Sequence, residues 1–363
     1  MRQRGSKVRV AVLFGGQSSE HDVSLRSAQT VMNALDPKRY EVVPIGITRE
    51  GRWLANGDPF AALTAESPLF ALDDGTRPVG AASAEAESAA PALMASGFDV
   101  VFPVLHGPLG EDGTVQGWLE LTGLPYVGAG VLGSALAMDK AMAKTIFAQH
   151  GLPQVAWRLV TRKEWQREPE DVEAWVAKCL GFPCFVKPAN MGSSVGVIKA
   201  HNASELPGAI EEAARYDRRI LIEQGVDCRE LEVSVLGNDE PIASVAGEII
   251  PANEFYDYEA KYIDDRSQLL APAPIDGATM AEVQELAIAA YRALDLAGMA
   301  RVDFFMDRNT DRLYLNEVNT IPGFTAISMY PRLWAATGIP LPELVDRLIG
   351  LALERSLERR RHA

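Results

Sequence analysis

Residues 301–320 read R-V-D-F-F-M-D-R-N-T-D-R-L-Y-L-N-E-V-N-T, and no other stretch restricts the fold as tightly. Two runs, Ala300–Met306 and Arg312–Asn319, read as strands joined by a polar turn. Strands send alternate side chains to one face. Arg301 and Asp303 therefore share a face, as do Glu317 and Asn319. With the turn centred near Thr310, Asp303 and Glu317 stand directly opposite each other. Facing carboxylates repel unless positive charge sits between them. Two hard acids and an Asn oxygen suit Mg²⁺, which takes oxygen ligands and leaves positions for phosphates. The pattern points to a metal–nucleotide site built on a sheet, with Arg301 beside it. The alternative is an acidic, solvated hairpin, and the hydrophobic neighbours on both strands argue against full exposure.

The 363 residues suffice for two or three domains, and 47% hydrophobic against 23% charged content predicts sizeable cores. The net charge of −14 makes nucleic acid a poor partner, because phosphate contacts need a basic surface. A phosphate-rich ligand must then be held by local lysines and backbone N–H groups. Three cysteines, Cys179, Cys184 and Cys228, are too few for a disulfide framework and form no C-x-x-C pair. They read as reduced thiols of a cytosolic protein. The opening apolar run breaks at Gly15-Gly16, so no signal peptide is expected, and no segment is apolar for long enough to span a membrane.

Strand, helix, strand at 8–14, 22–35 and 41–47 predicts a parallel α/β sheet. The helix shows its spacing through Val23, Ser27, Val31 and Leu35. Residues 61–92, rich in Ala, Ser, Glu and Asp, read as an inserted, loosely ordered excursion. Phe98–Leu105 is a strand. Thr114 is expected to cap a helix running to Glu120, a short strand spans Leu124–Val127, and a single helix spans Leu132–His150. Gly151-Leu-Pro looks like a domain boundary. Strands follow at Pro183–Lys187, Val195–Lys199 and Arg219–Glu223, with a helix at Ser204–Tyr216. A hairpin joins Leu231–Leu236 to Ile242–Ile250. Residues 251–274 lack periodicity and read as a lid or binding loop. Helices are expected at Thr279–Ala297 and Pro340–Leu357.

Several candidates carry competing readings. Gly128–Gly133, G-A-G-V-L-G, matches a dinucleotide fingerprint but lacks the acid expected about 20 residues on; a tight turn that aims the next helix is the better reading. No G-x-x-x-x-G-K-[ST] loop exists. The loop P-A-N-M-G-S-S-V-G after Lys187 can turn backbone N–H groups and hydroxyls toward an anion. Lys140 on a helix has the bland reading of a solvated lysine. Glu223 ends the apolar strand I-L-I-E, where it can accept hydrogen bonds from an adenine amine or ribose, or simply face water. Glu20 sits beyond the first strand, where open α/β sheets bind ligands. It can hold a substrate ammonium, or merely favour a helix start. His106 reads as structural or as a pocket wall.

The motifs F-G-G-Q-S-S-E-H-D-V-S, H-G-P-L-G-E-D-G-T-V-Q-G, M-D-K, V-K-P-A-N-M-G-S-S-V-G, F-Y-D-Y-E-A-K-Y, R-V-D-F and N-E-V-N-T-I-P-G-F-T together resemble the D-alanine–D-alanine ligases. The likeness runs from Val10 to about Gly338. It implies the ATP-grasp fold, a mixed α/β class: a Rossmann-like parallel-sheet domain at 1–137, then two α+β subdomains at 138–225 and 226–363 that clasp ATP. By the same resemblance Lys140, Lys187 and Lys261 contact phosphates, Glu223 and Val226 hold adenine, and Glu230 binds ribose. Asp303, Glu317 and Asn319 ligate two Mg²⁺ ions, for which Mn²⁺ can substitute. Glu20, Ser193 and Tyr262 form a hydrogen-bonded set around the first D-alanine, with His106 nearby. Arg301 and the Gly323 N–H make the oxyanion site. Ser328 and the Met329 N–H grip the second D-alanine carboxylate. The resemblance also implies a homodimer and a role in peptidoglycan synthesis. Rival readings are another ATP-grasp carboxylate–amine ligase, a D-lactate- or D-serine-using ligase, a non-catalytic nucleotide-binding regulator, and an NAD-linked enzyme.

Overall fold

The computed structural model describes residues 7–65, 67, 97–251 and 268–360. The expected lid at 251–274 lies mostly outside these residues, as do Lys261, Tyr262 and most of the 61–92 excursion.

The first unit is a four-stranded sheet ordered β3-β2-β1-β4, formed by β1 (Val8–Gly15), β2 (Tyr40–Ile47), β3 (Trp53–Leu54) and β4 (Val100–Val104). β1 runs parallel to both β2 and β4, as the strand–helix–strand pattern predicts, while the short edge strand β3 is antiparallel. Val10 through Phe14 are fully buried, as suits a parallel strand covered on both faces. Helix α1 (His21–Ala34) buries Val23, Ser27 and Val31 against this sheet, and α2 (Pro59–Thr64) covers β2. At the end of β1 the chain turns sharply. Gly15 adopts φ +89°, and a Cβ there would lie 2.2 Å from the Ile47 carbonyl oxygen.

Helix α3 (Thr114–Thr122) follows β4, but Thr114 does not cap it. The N-cap is Gly113 at φ +93°, and the Asp112 carboxylate takes the Thr114 and Leu109 N–H groups. An Asx side chain held by the backbone has displaced the weaker hydroxyl. The 124–127 segment makes only a bridge, Val101 to Tyr126. The helix expected at 132–150 is split into α4 (Val131–Met138) and α5 (Lys140–Gln149). Asp139 breaks it by accepting the Met142 N–H at 3.0 Å as the N-cap of α5, the typical preference of an Asp side chain. Gly128–Gly133 behaves as a turn. Gly130 caps α4, and a Cβ on Gly133 would sit 2.8 Å from the Asp295 carbonyl oxygen.

The second unit is an antiparallel sheet ordered β5-β8-β6-β7, from β5 (Trp157–Thr161), β6 (Cys184–Pro188), β7 (Ile198–Ala200) and β8 (Arg219–Gln224). Helices α6 (Arg162–Arg167), α7 (Pro169–Cys179) and α8 (Leu206–Tyr216) cover it. β5, α6 and α7 occupy a stretch without clear periodicity; a Thr161–Glu164 capping box starts α6. The strand expected at 195–199 shrinks to β7, because Gly196 adopts positive φ, which a strand cannot accommodate.

The third unit is an antiparallel sheet ordered β11-β10-β9-β12-β13: β9 (Cys228–Gly237), β10 (Ile242–Ile250), β11 (Gln268–Leu270), β12 (Gly298–Asp307) and β13 (Leu313–Asn319). β11 lies inside the span expected to be structureless. Helix α9 (Gly277–Ala293) packs on one face of this sheet. Two helices close the chain, α10 (Met329–Ala336) and α11 (Leu341–Arg360). Tyr330, Trp334, Leu344 and Leu348 share one apolar core with Val10, Val12, Phe102 and Leu25. The C-terminal segment thus locks the third unit onto the first.

Candidate active site

A cavity of about 570 Å³ opens between the three units. Its lining includes each described residue that the family resemblance assigns to the site: Glu20, His106, Lys140, Lys187, Ser193, Glu223, Val226, Glu230, Arg301, Asp303, Glu317, Asn319, Gly323, Ser328 and Met329; Gly128–Gly133 is not part of it.

The floor is the hairpin β12–β13. Asp303 pairs with Glu317, and Arg301 with Asn319. The next strand extends the rows, since Asp303 also pairs with Glu232 and Arg301 with Ser234. Three acids therefore lie in one row across three strands. Arg301 is the positive charge that such a row requires. Its Nε and Nη2 each donate to an Asp303 oxygen at 2.7 Å, and Nε lies 3.2 Å from Glu232 Oε1. Burial alone would lower the Arg301 pKa, but Asp303 and Glu232 raise it far above its ordinary value. Asn319 donates its amide N–H to Asp303 at 3.0 Å, so its carbonyl oxygen remains an acceptor.

Two lysines reach the floor from the other units. Lys140 opens α5, where the Asp139 cap places it. Its Nζ donates to the Met191 carbonyl at 2.6 Å and lies 3.6 Å from Glu317 Oε2. Lys187, on β6, lies 2.5 Å from Glu223 Oε2. Glu223 is gripped on its other oxygen by Lys144 at 2.6 Å. Burial would raise the Glu223 carboxyl, yet the two ammonium groups pull it down to about 2. Burial pushes Lys144 down, whereas Lys187 is raised overall because Glu223 and Glu317 outweigh its own burial. Glu223 is thus not a water-facing strand end. Lys144 escaped the sequence reading. Its signal was its position on the buried stripe of α5, between Ala141 and Phe147. Glu232 was also missed, although it shares Glu230's face two residues on.

The loop after Lys187 folds back over the first unit. Ser193 donates its hydroxyl to Glu20 Oε1. A Cβ on Gly192 would lie 2.9 Å from Glu20 Oε2, so a side chain there would push the Glu20 carboxylate from its place. Glu111, in the H-G-P-L-G-E-D-G stretch, was not singled out, although it is buried beside this loop. Burial and the neighbouring Glu20 charge raise its carboxyl to about 8. Both nitrogens of His106 are engaged, by the Ile321 carbonyl and by Ser27. Ser328 accepts the Thr325 N–H at 3.0 Å where the chain enters α10.

Two family models cover most of the chain: the D-ala D-ala ligase N-terminus over residues 9–129 and the D-ala D-ala ligase C-terminus over 146–350. The chain belongs to the D-alanine–D-alanine ligase family. It is 55% identical to the D-alanine–D-alanine ligase of Thermoanaerobacter pseudethanolicus, over 97% of this chain and 98% of that one. It is 51% identical to that of Heliobacterium modesticaldum, over 98% of both. Among solved structures, the D-alanine-D-alanine ligase from Coxiella burnetii superposes with a TM-score of 0.79 at 35% identity, covering 98% of this chain and 96% of that chain. The VanG D-Ala:D-Ser ligase from Enterococcus faecalis matches with the same score and identity, over 96% and 100%. The fold is that of the family, ATP-grasp.

The donor set on the floor suits magnesium. Among the described residues no three His, Cys, Asp or Glu side chains converge as a metal cluster. The set available is two carboxylates paired across the hairpin and one amide oxygen. These hard donors, one carboxylate at each end of the Asp303–Glu317 pair, fit an ion that shares its shell with phosphate oxygens.

Proposed function

We propose that this chain uses ATP to join two D-alanines into D-alanyl-D-alanine, a peptidoglycan precursor, through a D-alanyl phosphate. A carboxylate oxygen is a poor leaving group, so the amide cannot form directly. The first D-alanine carboxylate attacks the γ-phosphorus, the bond to ADP breaks, and the acyl phosphate results. The free amine of the second D-alanine attacks the acyl carbon, loses a proton, and phosphate departs with the electron pair of its C–O bond.

The chain's own residues supply position and charge, which carry most of such catalysis. Lys140 and Lys187 sit where a triphosphate tail would lie against the carboxylate floor. Asp303, Glu317 and Asn319 are the residues that would hold Mg²⁺, which when bound offsets phosphate charge. Glu20, oriented by Ser193, is placed for the first ammonium. Arg301 and the Gly323 N–H flank the point where the tetrahedral oxyanion develops; one such donor is typically worth about 3 kcal/mol in the transition state. Ser328 and the Met329 N–H, at the start of α10, take the second carboxylate. Lys261 and Tyr262 would complete the site from outside the described residues. In this reading the chain divides at 137 and 225, works in the cytoplasm and is a homodimer. Among the described residues no helix is long and apolar enough to cross a membrane.

The observation that carries this reading is the convergence of Lys140 Nζ on Glu317, 3.6 Å apart, which brings a phosphate-binding candidate from one unit onto the metal-binding candidates of another. The test is incubation with ATP, Mg²⁺ and D-alanine, following phosphate and dipeptide together, with L-alanine as control. Equimolar phosphate and dipeptide from D-alanine alone are expected; phosphate without dipeptide would overturn it. The likeness to a D-Ala:D-Ser ligase calls for a second arm. D-serine or D-lactate competing with D-alanine at neutral pH should give mostly D-alanyl-D-alanine.

A further inference from the structure

Helix α1 buries a serine, Ser27, in the middle of its apolar stripe, fully out of solvent. A buried hydroxyl needs partners, and Ser27 has two. It accepts the Phe324 N–H at 3.1 Å and lies 3.2 Å from His106 Nε2. His106 Nδ1 is in turn 2.9 Å from the Ile321 carbonyl oxygen. These contacts fix every hydrogen. A carbonyl oxygen only accepts, so Nδ1 carries the ring proton. In a neutral ring Nε2 is then the acceptor and takes the Ser27 hydroxyl hydrogen. That leaves a serine lone pair for the Phe324 N–H. The direction runs unbroken from Phe324 N–H through Ser27 and His106 to Ile321 C=O.

Glu111 grips the same segment from the other side. Its Oε1 accepts the Ile321 N–H at 3.2 Å, and its Oε2 accepts the Gly107 N–H at 2.6 Å. The Ile321 N–H, the Ile321 carbonyl and the Phe324 N–H are therefore all tied to the first unit. Gly323 lies between these anchors. It is also confined sterically, since a Cβ there would meet Ser328 Oγ at 2.7 Å. None of the three anchoring side chains needs to touch substrate to act.

We propose that Ser27, His106 and Glu111 are positioning residues that hold the 321–324 peptide so that the Gly323 N–H meets the oxyanion. His106 serves in its Nδ1–H form as a fixed strut and transfers no proton. The inference rests on the ligase reading above, in which Gly323 is an oxyanion donor. It assigns a mechanical task to a buried histidine whose place beside the substrate invites an acid–base role.

The test uses the full chain, with Ser27→Ala, His106→Asn and the double variant. Asn keeps an N–H close to the place of Nδ1 but loses the link to Ser27. Each single variant should lower dipeptide turnover about 10- to 100-fold, as loss of a positioned oxyanion donor does. The KM for ATP should stay within about twofold, because uniform binding is untouched. Positional isotope exchange in ATP with the first D-alanine, which reports acyl phosphate formation alone, should persist. Links in series predict that the double variant loses little beyond either single one, within about threefold. Separately, ¹⁵N shifts of the imidazole, assigned by difference from His106→Asn, should show Nδ1 protonated and Nε2 bare.

Turnover within about twofold of wild type in both single variants would overturn the proposal, as would a loss shared equally by isotope exchange and the ATP KM. A ring protonated at Nε2 would overturn it independently of any assay of activity. If Ser27→Ala does not fold, His106→Asn and the tautomer measurement still decide. Failure of the wild type to make dipeptide would instead sink the ligase reading, and the tautomer result would stand apart from it.

Discussion

Glu223→Gln isolates the buried charge cluster that joins α5 to β6 and β8. Glu223 is 2% exposed and lies between Lys144 and Lys187 at 2.6 and 2.5 Å. A carboxyl held at about 2 instead of its ordinary 4.5 contributes about 3 kcal/mol at neutral pH, at roughly 1.4 kcal/mol for each pH unit. The sign follows from the depressed value. This stability is fully present above the unfolded carboxyl range and disappears as pH falls through about 2. An amide in place of the carboxylate keeps the shape but takes from two buried ammonium groups their nearest counter-charge, leaving the more distant Glu317, and removing one partner of a buried ion pair typically costs about 3–5 kcal/mol. Urea unfolding followed by tryptophan fluorescence reads this directly, since Trp157 pairs with Glu223 across β5 and β8. The variant should be about 3 kcal/mol less stable at pH 7, by a shift in midpoint at unchanged slope. The difference should stay flat from about pH 7 to 5 and then shrink by about 1.4 kcal/mol per unit toward acid. A deficit under about 1 kcal/mol at pH 7, or one that persists undiminished to about pH 3, would refute the argument that the lysines hold this carboxylate charged.

Three further outcomes are expected. Arg301→Ala should leave ATP affinity nearly unchanged while turnover falls by about two orders of magnitude or more, and Arg301→Lys should not restore it, because an ammonium cannot reproduce the fork on Asp303; steady-state kinetics with an ATP-binding titration checks both. Gly247→Ala places a Cβ 2.1 Å from Met329 Cε and 3.0 Å from the Leu270 carbonyl oxygen, so the Met329 side chain must swing aside at the start of α10 and the β11 backbone must give. The KM for the second D-alanine should rise while that for ATP does not. Glu111 titrates near 8, so its charging disfavours the folded state as pH rises from the ordinary carboxyl range to that value. Glu111→Gln should therefore lose less stability relative to wild type at pH 9 than at pH 5, a comparison made by thermal unfolding in the two buffers.

Part of the floor of the site was legible from alternation. A strand's period of two predicts Asp303 opposite Glu317 for a turn centred near Thr310, and the two do pair, but only through a bulge between Asp303 and Phe304. Nearer the turn Phe304 pairs with Leu315 and Met306 with Leu313, a register that alone would set Asp303 against Asn316. The parallel sheet of the first unit was equally legible, because a strand buried on both faces needs an unbroken apolar run. Local chemistry was harder to read. Asp139 split a helix through its own side-chain cap, and positive φ at Gly196 cut a strand to three residues.

What the amino-acid order determined by itself was therefore the set of faces: which side chains share a surface of each strand or helix, and through the motifs, the family. Only the tertiary structure decided the partners. Lys144 is only a lysine on a buried helix stripe until β8 brings Glu223 to it, and Ser27 is a flaw in an apolar stripe until Phe324 arrives from 297 positions away. His106 and Ile321 are 215 positions apart. The physical reason is that periodicity is a property of neighbouring backbone dihedrals, whereas the value of a buried charge or hydroxyl depends on what lies about 3 Å away once water has been excluded.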